Sequence, residues 1–158
     1  MTNRLKVVAA ALIVVGAGLF AAWKLMPDRR PASQQILDTL VDIQKAVAQK
    51  NLRGTMKHIS ESYRDPETES KRELTQLAIS GFREPGRFQV VLQAGRPEVH
   101  GSQATVDVRV EFSVAQGRWV RRVEPFTVHT RWAKEKGHWS IVWAEGYWQA
   151  SEGFGPGV

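Results

Sequence analysis

The chain has 158 residues, 42% of them hydrophobic and 24% charged, enough for one core of ordinary domain size and a short appendage. It has no cysteine, which excludes disulfides and thiolate metal sites. The net charge of +6 is concentrated at the start: up to residue 30, Arg4, Lys6, Lys24, Arg29 and Arg30 face only Asp28, leaving 17 of the 22 basic and 15 of the 16 acidic residues for the rest, which argues against nucleic acid as a partner.

Residues 1–6 form a short tail, and the apolar stretch from Val7 to Trp23, extended past Lys24 by Leu25 and Met26, predicts a transmembrane signal anchor over residues 7–26. A cleaved signal peptide is the competing reading, with Val15-Gly16-Ala17 as its small-residue site. The short tail predicts a single-pass protein of the cytoplasmic membrane with its globular part outside the cytoplasm. Residues 27–32, with Pro27 and Pro31 around Asp28, Arg29 and Arg30, read as a stiff linker.

The globular part is predicted over residues 33–150. Ser33 is the expected cap of a first helix whose Ile36, Leu37, Leu40, Val41, Ile43 and Val47 recur at helical spacing to about Lys50. A shorter helical piece, weakened by Gly54, runs from Leu52 to Ile59. Asp65-Pro66-Glu67 reads as the start of a third helix, with Leu74, Leu77, Ala78, Gly81 and Phe82 on one stripe and Pro85-Gly86 as its stop.

After Gly86 the period becomes that of strands. Four are readable. The first holds Phe88, Val90 and Leu92 and continues past Pro97 to Val99 with a kink or bulge; after Gly101-Ser102 the second alternates Val106, Val108, Val110, Phe112 and Val114 with Thr105, Asp107, Arg109, Glu111 and Ser113. Beyond Gln116-Gly117, Trp119 to Trp132 forms the third strand, with Pro125 marking a bulge or edge and Val120, Phe126, Val128 and Trp132 facing the helices. Lys136-Gly137 leads to the fourth, Trp139 to Trp148, and residues 151–158 form a flexible tail.

Helices followed by long antiparallel strands, with Ile59-Ser60-Glu61-Ser62-Tyr63-Arg64-Asp65-Pro66 between helices and Lys136-Gly137-His138-Trp139-Ser140-Ile141-Val142-Trp143 closing the sheet, resemble the nuclear transport factor 2-like superfamily, its SnoaL-like and DUF4440-like branches in particular. The resemblance implies an α+β fold: three N-terminal helices packed on a curled, mainly antiparallel sheet of four or more strands, cone-shaped and cystatin-like, here preceded by the anchor. It also implies a conical pocket. Tyr63, Phe88, Phe112, Phe126 and Tyr147 are its expected lining or mouth.

Catalytic residues are not expected. Strand alternation turns Asp107, Glu111 and His129 away from the helices, the carboxylates pairing with Arg109 or Arg131. Asp65 is explained as a helix cap, Glu145 could point inward beside Tyr147, and His58, His100 and His138 are too scattered for a metal, so neither metal nor cofactor is expected. On the last strand Trp139, Ile141 and Trp143 point opposite to Val142, Ala144 and Trp148, so both faces are apolar. Trp132, Trp139, Trp143 and Trp148 are therefore candidate interface residues on the outer sheet face, for a homodimer or another envelope protein. The functional expectation is a membrane-anchored, non-enzymatic binding or assembly module of the bacterial envelope whose pocket takes a small apolar ligand or a protein partner. A subunit of an envelope or secretion complex and a SnoaL-like isomerase or hydrolase are the alternatives.

Overall fold

The computed structural model describes residues 30–146. The expected anchor, Tyr147, Trp148 and the tail lie outside these residues, and among the described residues no helix is long and apolar enough to cross a membrane.

Helix α1 spans Ala32–Ala48. It starts one residue before Ser33: Pro31 holds the cap position with no side-chain cap, and its carbonyl accepts from Gln35 N at 3.1 Å. Proline's fixed φ ends the extended linker and admits the helix directly after it, so a hydroxyl cap is not needed. Ile36, Leu40 and Ala46 are buried, whereas Val41, expected inward, is 47% exposed. The C-terminus closes as a Schellman motif, with Asn51 N donating to Ala46 O and Lys50 N to Val47 O. Lys50 takes the left-handed position (φ 52°), its ammonium 4.3 Å from the Phe88 ring centroid and hydrogen-bonded to Glu84 O. Helix α2, Leu52–Met56, is capped by Asn51, which accepts from Gly54 N at 2.9 Å.

Asp65 caps a turn, not the third helix. Its Oδ1 accepts from the backbone N–H groups of Glu67 and Thr68, and its Oδ2 from the Thr68 hydroxyl, each at 2.6 Å. Those amides are thereby consumed locally, and α3 begins later, at Lys71–Phe82, behind a Ser70 cap that accepts from Glu73 N while Glu73 reaches back to Glu69 N. None of the residues of α3 is fully buried, and Leu77 is 48% exposed.

The strands are β1 Arg87–Ala94, β2 Glu98–His100, β3 Gln103–Gln116, β4 Trp119–Arg122, β5 Phe126–Glu135 and β6 His138–Glu145, in one antiparallel sheet with the order β1-β3-β5-β6. β2 and β4 both pair with β3: β2 carries on from β1 beyond the Pro97 break, and β4 precedes β5 across the Pro125 break. At each break one bond to β3 survives, Gly95 N to Asp107 O (2.8 Å) and Val123 N to Phe112 O (3.0 Å). A residue without a ladder N–H interrupts an outer segment while β3 holds the register. The β5–β6 hairpin turns on Lys136-Gly137, both at positive φ (49° and 86°), which suits a two-residue type I′ loop.

α1 touches β1, β2 and β6, which are the two edges of the sheet. Only a sheet curled around the helix can present both edges to it. Among the described residues the core is drawn from Ile36, Leu40, Tyr63, Val106, Trp132, Trp139 and Ile141 with their packed neighbours. Segment 58–64 runs beside β6, with Ile141 N donating to His58 O and Ser60 N and Arg64 N to Ile141 O and Val142 O. This covers what would otherwise be an open edge.

A register shift between Arg131 and Trp132, opposite β6, leaves Val142 without a ladder partner. It slips the alternation of β6 by one residue. Trp139, Ile141 and Ala144 are buried with Trp132 and Thr130, while Trp143 turns outward, where the Arg131 guanidinium lies 4.3 Å from its ring centroid. Trp139, expected on the outer face, is a core residue, 3% exposed, and Trp132, a candidate for that face although strand alternation turns it toward the helices, is buried at 1%. The same slip carries Glu145 to the outer face, in register with His129. Val120, expected to face the helices, is 55% exposed, because β4 extends past them.

Candidate functional site

The expected pocket residues are dispersed. Tyr63 is 1% exposed, and its side chain helps to hold the Asp65 carboxyl ionised. Burial pushes the Asp65 carboxyl up, but the bonds from Thr68, Tyr63 and Glu67 outweigh it and hold the carboxyl below its ordinary value. Phe88 and Phe112 meet edge-to-face at 5.0 Å, and Phe82 adds a third ring 6.1 Å from Phe88, so aromatic packing fills this end of the cone. Phe126 is buried opposite Val110, and Tyr147 lies outside the described residues. Every Asp, Glu, His, Lys and Arg side chain among the described residues is at least partly exposed; the buried polar residues are Gln35, Thr55, Ser60, Thr68 and Thr130.

On the outer face Asp107 Oδ1 lies 2.7 Å from His129 Nδ1, with both side chains more than half exposed. Asp107 thus takes His129, not the arginines, while Glu111 lies 3.9 Å from Arg109. No cluster of three or more potential metal ligands occurs among the described residues.

A polar cleft of ≈ 1290 Å³ opens between α1, segment 57–62 and the β5–β6 hairpin. Asp38 and Asp42 come from one turn of α1, His58 and Ser60 from the segment bound to the β6 edge, and Glu135 and Trp139 from the hairpin. The two stretches that carry the family resemblance thus meet across one cavity. The Ser60 hydroxyl donates to Glu135 Oε1 at 2.8 Å and accepts from Ser62 N at 3.0 Å, linking the edge segment to the hairpin. Arg30 with Asp38 and Lys71 with Glu61 form ion pairs at the rim.

Two nitrogens on this wall, His58 Nε2 and Trp139 Nε1, are buried and have no hydrogen-bond partner. Burial, and then the Lys57 ammonium, lowers the His58 pKa against an opposing pull from Asp42, so its imidazole is neutral near pH 7. Indole N–H only donates, and neutral imidazole donates or accepts according to tautomer. The cleft-lining residues Trp139 and His58 therefore supply a fixed donor and an adaptable group, a combination suited to a carbonyl or carboxylate oxygen. From the sequence, His58 is a candidate only as a metal ligand and Trp139 only as a surface residue. Their presence in the Ile59–Pro66 and Lys136–Trp143 neighbourhoods was the available signal.

No protein-family model matches the chain. No curated protein matches it in sequence. Solved structures do share its fold. An NTF2-like protein of unknown function from Shewanella oneidensis superposes with a TM-score of 0.55 at 11% identity, over 73% of this chain and 98% of that one. A protein of unknown function with a cystatin-like fold, from Nostoc punctiforme, gives 0.56 at 12% identity over 72% and 87%. A protein from Catenulispora acidiphila in complex with S-DNPA gives 0.60 at 7% identity over 72% and 90%. At such identities the similarity is one of fold: the chain is α+β, cystatin-like and NTF2-like.

Proposed function

We propose that this chain is a non-enzymatic binding module that holds a small ligand, through a carbonyl or carboxylate oxygen, in the cleft between α1 and the β5–β6 hairpin. The observation that carries this reading is the pair of buried, unpartnered nitrogens of His58 and Trp139 on one wall. A buried donor left unmade costs about 1–3 kcal/mol, which a ligand oxygen recovers on binding. Holding is favoured over catalysis because a general acid or base must be free to exchange a proton with substrate. Here Glu135 is bound to a hydroxyl, and Asp38 and Glu61 to opposite charges. That the Catenulispora acidiphila protein was solved in complex with S-DNPA supports ligand binding as a use of this fold.

The module is held at an envelope membrane by residues 7–26, a reading that rests on their uncharged run from Val7 to Trp23. Full-length protein is expected in the membrane fraction after carbonate extraction; a mature N-terminus mapped just after Ala17 would replace the anchor with a secreted domain.

For the cleft, the full chain in detergent is heated with N-acetyl amino-acid amides and short monocarboxylates at about 1–10 mM, the weak-binding range. At least one probe class is expected to raise Tm, and Trp139→Phe, which keeps the ring and removes the N–H, to abolish that rise. An equal rise in Trp139→Phe, or none with any probe, would reject the site.

A further inference from the structure

The turn Gly117-Arg118 and strand β4 form the outer part of a ribbon with the end of β3. All four residues of β4 are exposed, Trp119 at 82% and Val120 at 55%. The two-residue turn has Gly117 at φ 59°, as a type II′ loop requires at its first position, so the tip is defined by backbone geometry. Pairing with β3 puts Trp119 and Arg121 on one face, beside Gln116 and Val114, and Val120 and Arg122 on the other, beside Ala115 and Ser113. Each face of the tip therefore carries one apolar side chain and one arginine. Arg118 sits in the turn itself, and Arg87 of β1 pairs with Ala115 across the ladder. Against these four cations stand Glu84, 3.9 Å from Arg121, and Glu124 beyond the strand.

We propose that this ribbon docks on an anionic phospholipid surface, with Trp119 and Val120 entering the headgroup layer and Arg118, Arg121 and Arg122 bound to lipid phosphates. Charge complementarity selects this occupant, because clustered arginines are drawn to anionic leaflets and tryptophan partitions into the membrane interface. A protein surface that seats one face of a ribbon would leave the other face's apolar residue and arginine in water, whereas headgroups surround an inserted tip. Single-stranded nucleic acid fits less well: it needs a row of stacking rings and a continuous basic track. The ribbon has one exposed ring, and the adjoining outer face carries Glu111 and Asp107.

The ribbon contact does not depend on the ligand cleft. α1 begins beside the Ala94–Val99 bend, which lies opposite Ala104 to Val108 in the first part of the 14-residue β3, roughly 30–40 Å from the tip. A domain whose start and ribbon both touch one bilayer must therefore lie with β3 along the membrane plane.

The chain has no native cysteine, so Val120→Cys gives a unique labelling point in the full-length protein. An environment-sensitive fluorophore there is measured with vesicles of phosphatidylcholine alone and with roughly 30% phosphatidylglycerol, at low salt and at about 0.5 M NaCl. Emission is expected to shift to the blue and rise about twofold only with the anionic lipid, to fall back at high salt, and to be quenched by brominated acyl chains. Adding Arg118→Gln and Arg122→Gln should weaken the lipid-dependent signal tenfold or more, from about fivefold for each cation removed. The same label at Lys45→Cys, on an exposed position of α1, should not respond. Identical signals in the two lipid mixtures would overturn the proposal, as would a response to a single-stranded oligonucleotide and not to phosphatidylglycerol.

Discussion

His58 reports on the cleft through its proton. Its folded-state pKa is lowered by burial and by Lys57, so the unfolded chain takes up the proton first as pH falls. The stabilising contribution of neutral His58 is therefore complete above its ordinary pKa of about 6.5 and is lost progressively as pH falls from there through the depressed folded value. Denaturant titrations of the full chain in detergent across this window should give a midpoint that declines on acidification. His58→Phe should flatten that decline specifically in this range. Asp65 has the opposite chemistry but the same acid side: its lowered carboxyl pKa gives stability above the ordinary carboxylate range that is lost only in stronger acid. An unchanged slope near pH 6 in His58→Phe would show that the imidazole is as solvated folded as unfolded.

Among the elements, the hairpin arm of β6 shows how one backbone irregularity redistributes side chains. The slip at Val142 puts Trp139 with Ile141 and Ala144 in the core and gives Trp143 to Arg131 on the outside. The strand ends before Gly146, whose φ is 98°, and a Cβ there would overlap the Thr127 carbonyl oxygen. Backbone carbonyls cannot rotate away as a flexible side chain can. Gly146→Ala is expected to lower stability by about 1–3 kcal/mol or more, from the left-handed conformation and the clash together. Gly117→Ala, where a Cβ meets nothing within 4 Å, should carry only the conformational part of that cost. Equal denaturation midpoints for the two variants would mean that the end of β6 moves freely away from β5.

Across the whole molecule, stability depends on closing the curled sheet onto α1. Trp132, 1% exposed, sits at the centre of that closure and donates from Nε1 to the Thr130 hydroxyl at 2.8 Å, which in turn donates to Val106 O at 2.7 Å. Trp132→Ala removes the largest fully buried side chain among the described residues, a change of about 3–5 kcal/mol. Thr130→Val keeps the volume but strands one donor and one acceptor, for about 1–3 kcal/mol. The second variant should stay folded with a lowered Tm, separating the bond network from the packing. A Thr130→Val protein as stable as the parent would place water in the network.

Strand β3 was legible because its apolar and polar residues alternate without interruption from Ala104 to Val114, and strand geometry then fixes both faces. The breaks at Pro97 and Pro125 were legible because a residue without an N–H cannot serve the ladder. The succession of helices and antiparallel strands followed from those local rules, as did the outward Asp107, Glu111 and His129, whereas the curl of the sheet was implied only by the family resemblance. Tertiary structure alone decided the side chains of β6, since a bulge inserts one residue into a period of two and no local pattern marks Val142 as the place. It also decided the cleft. His58 and Trp139 lie 81 positions apart in the chain and become neighbours of one cavity because segment 58–64 pairs along the β6 edge, a contact set by main-chain hydrogen bonds, which leave no trace in side-chain periodicity.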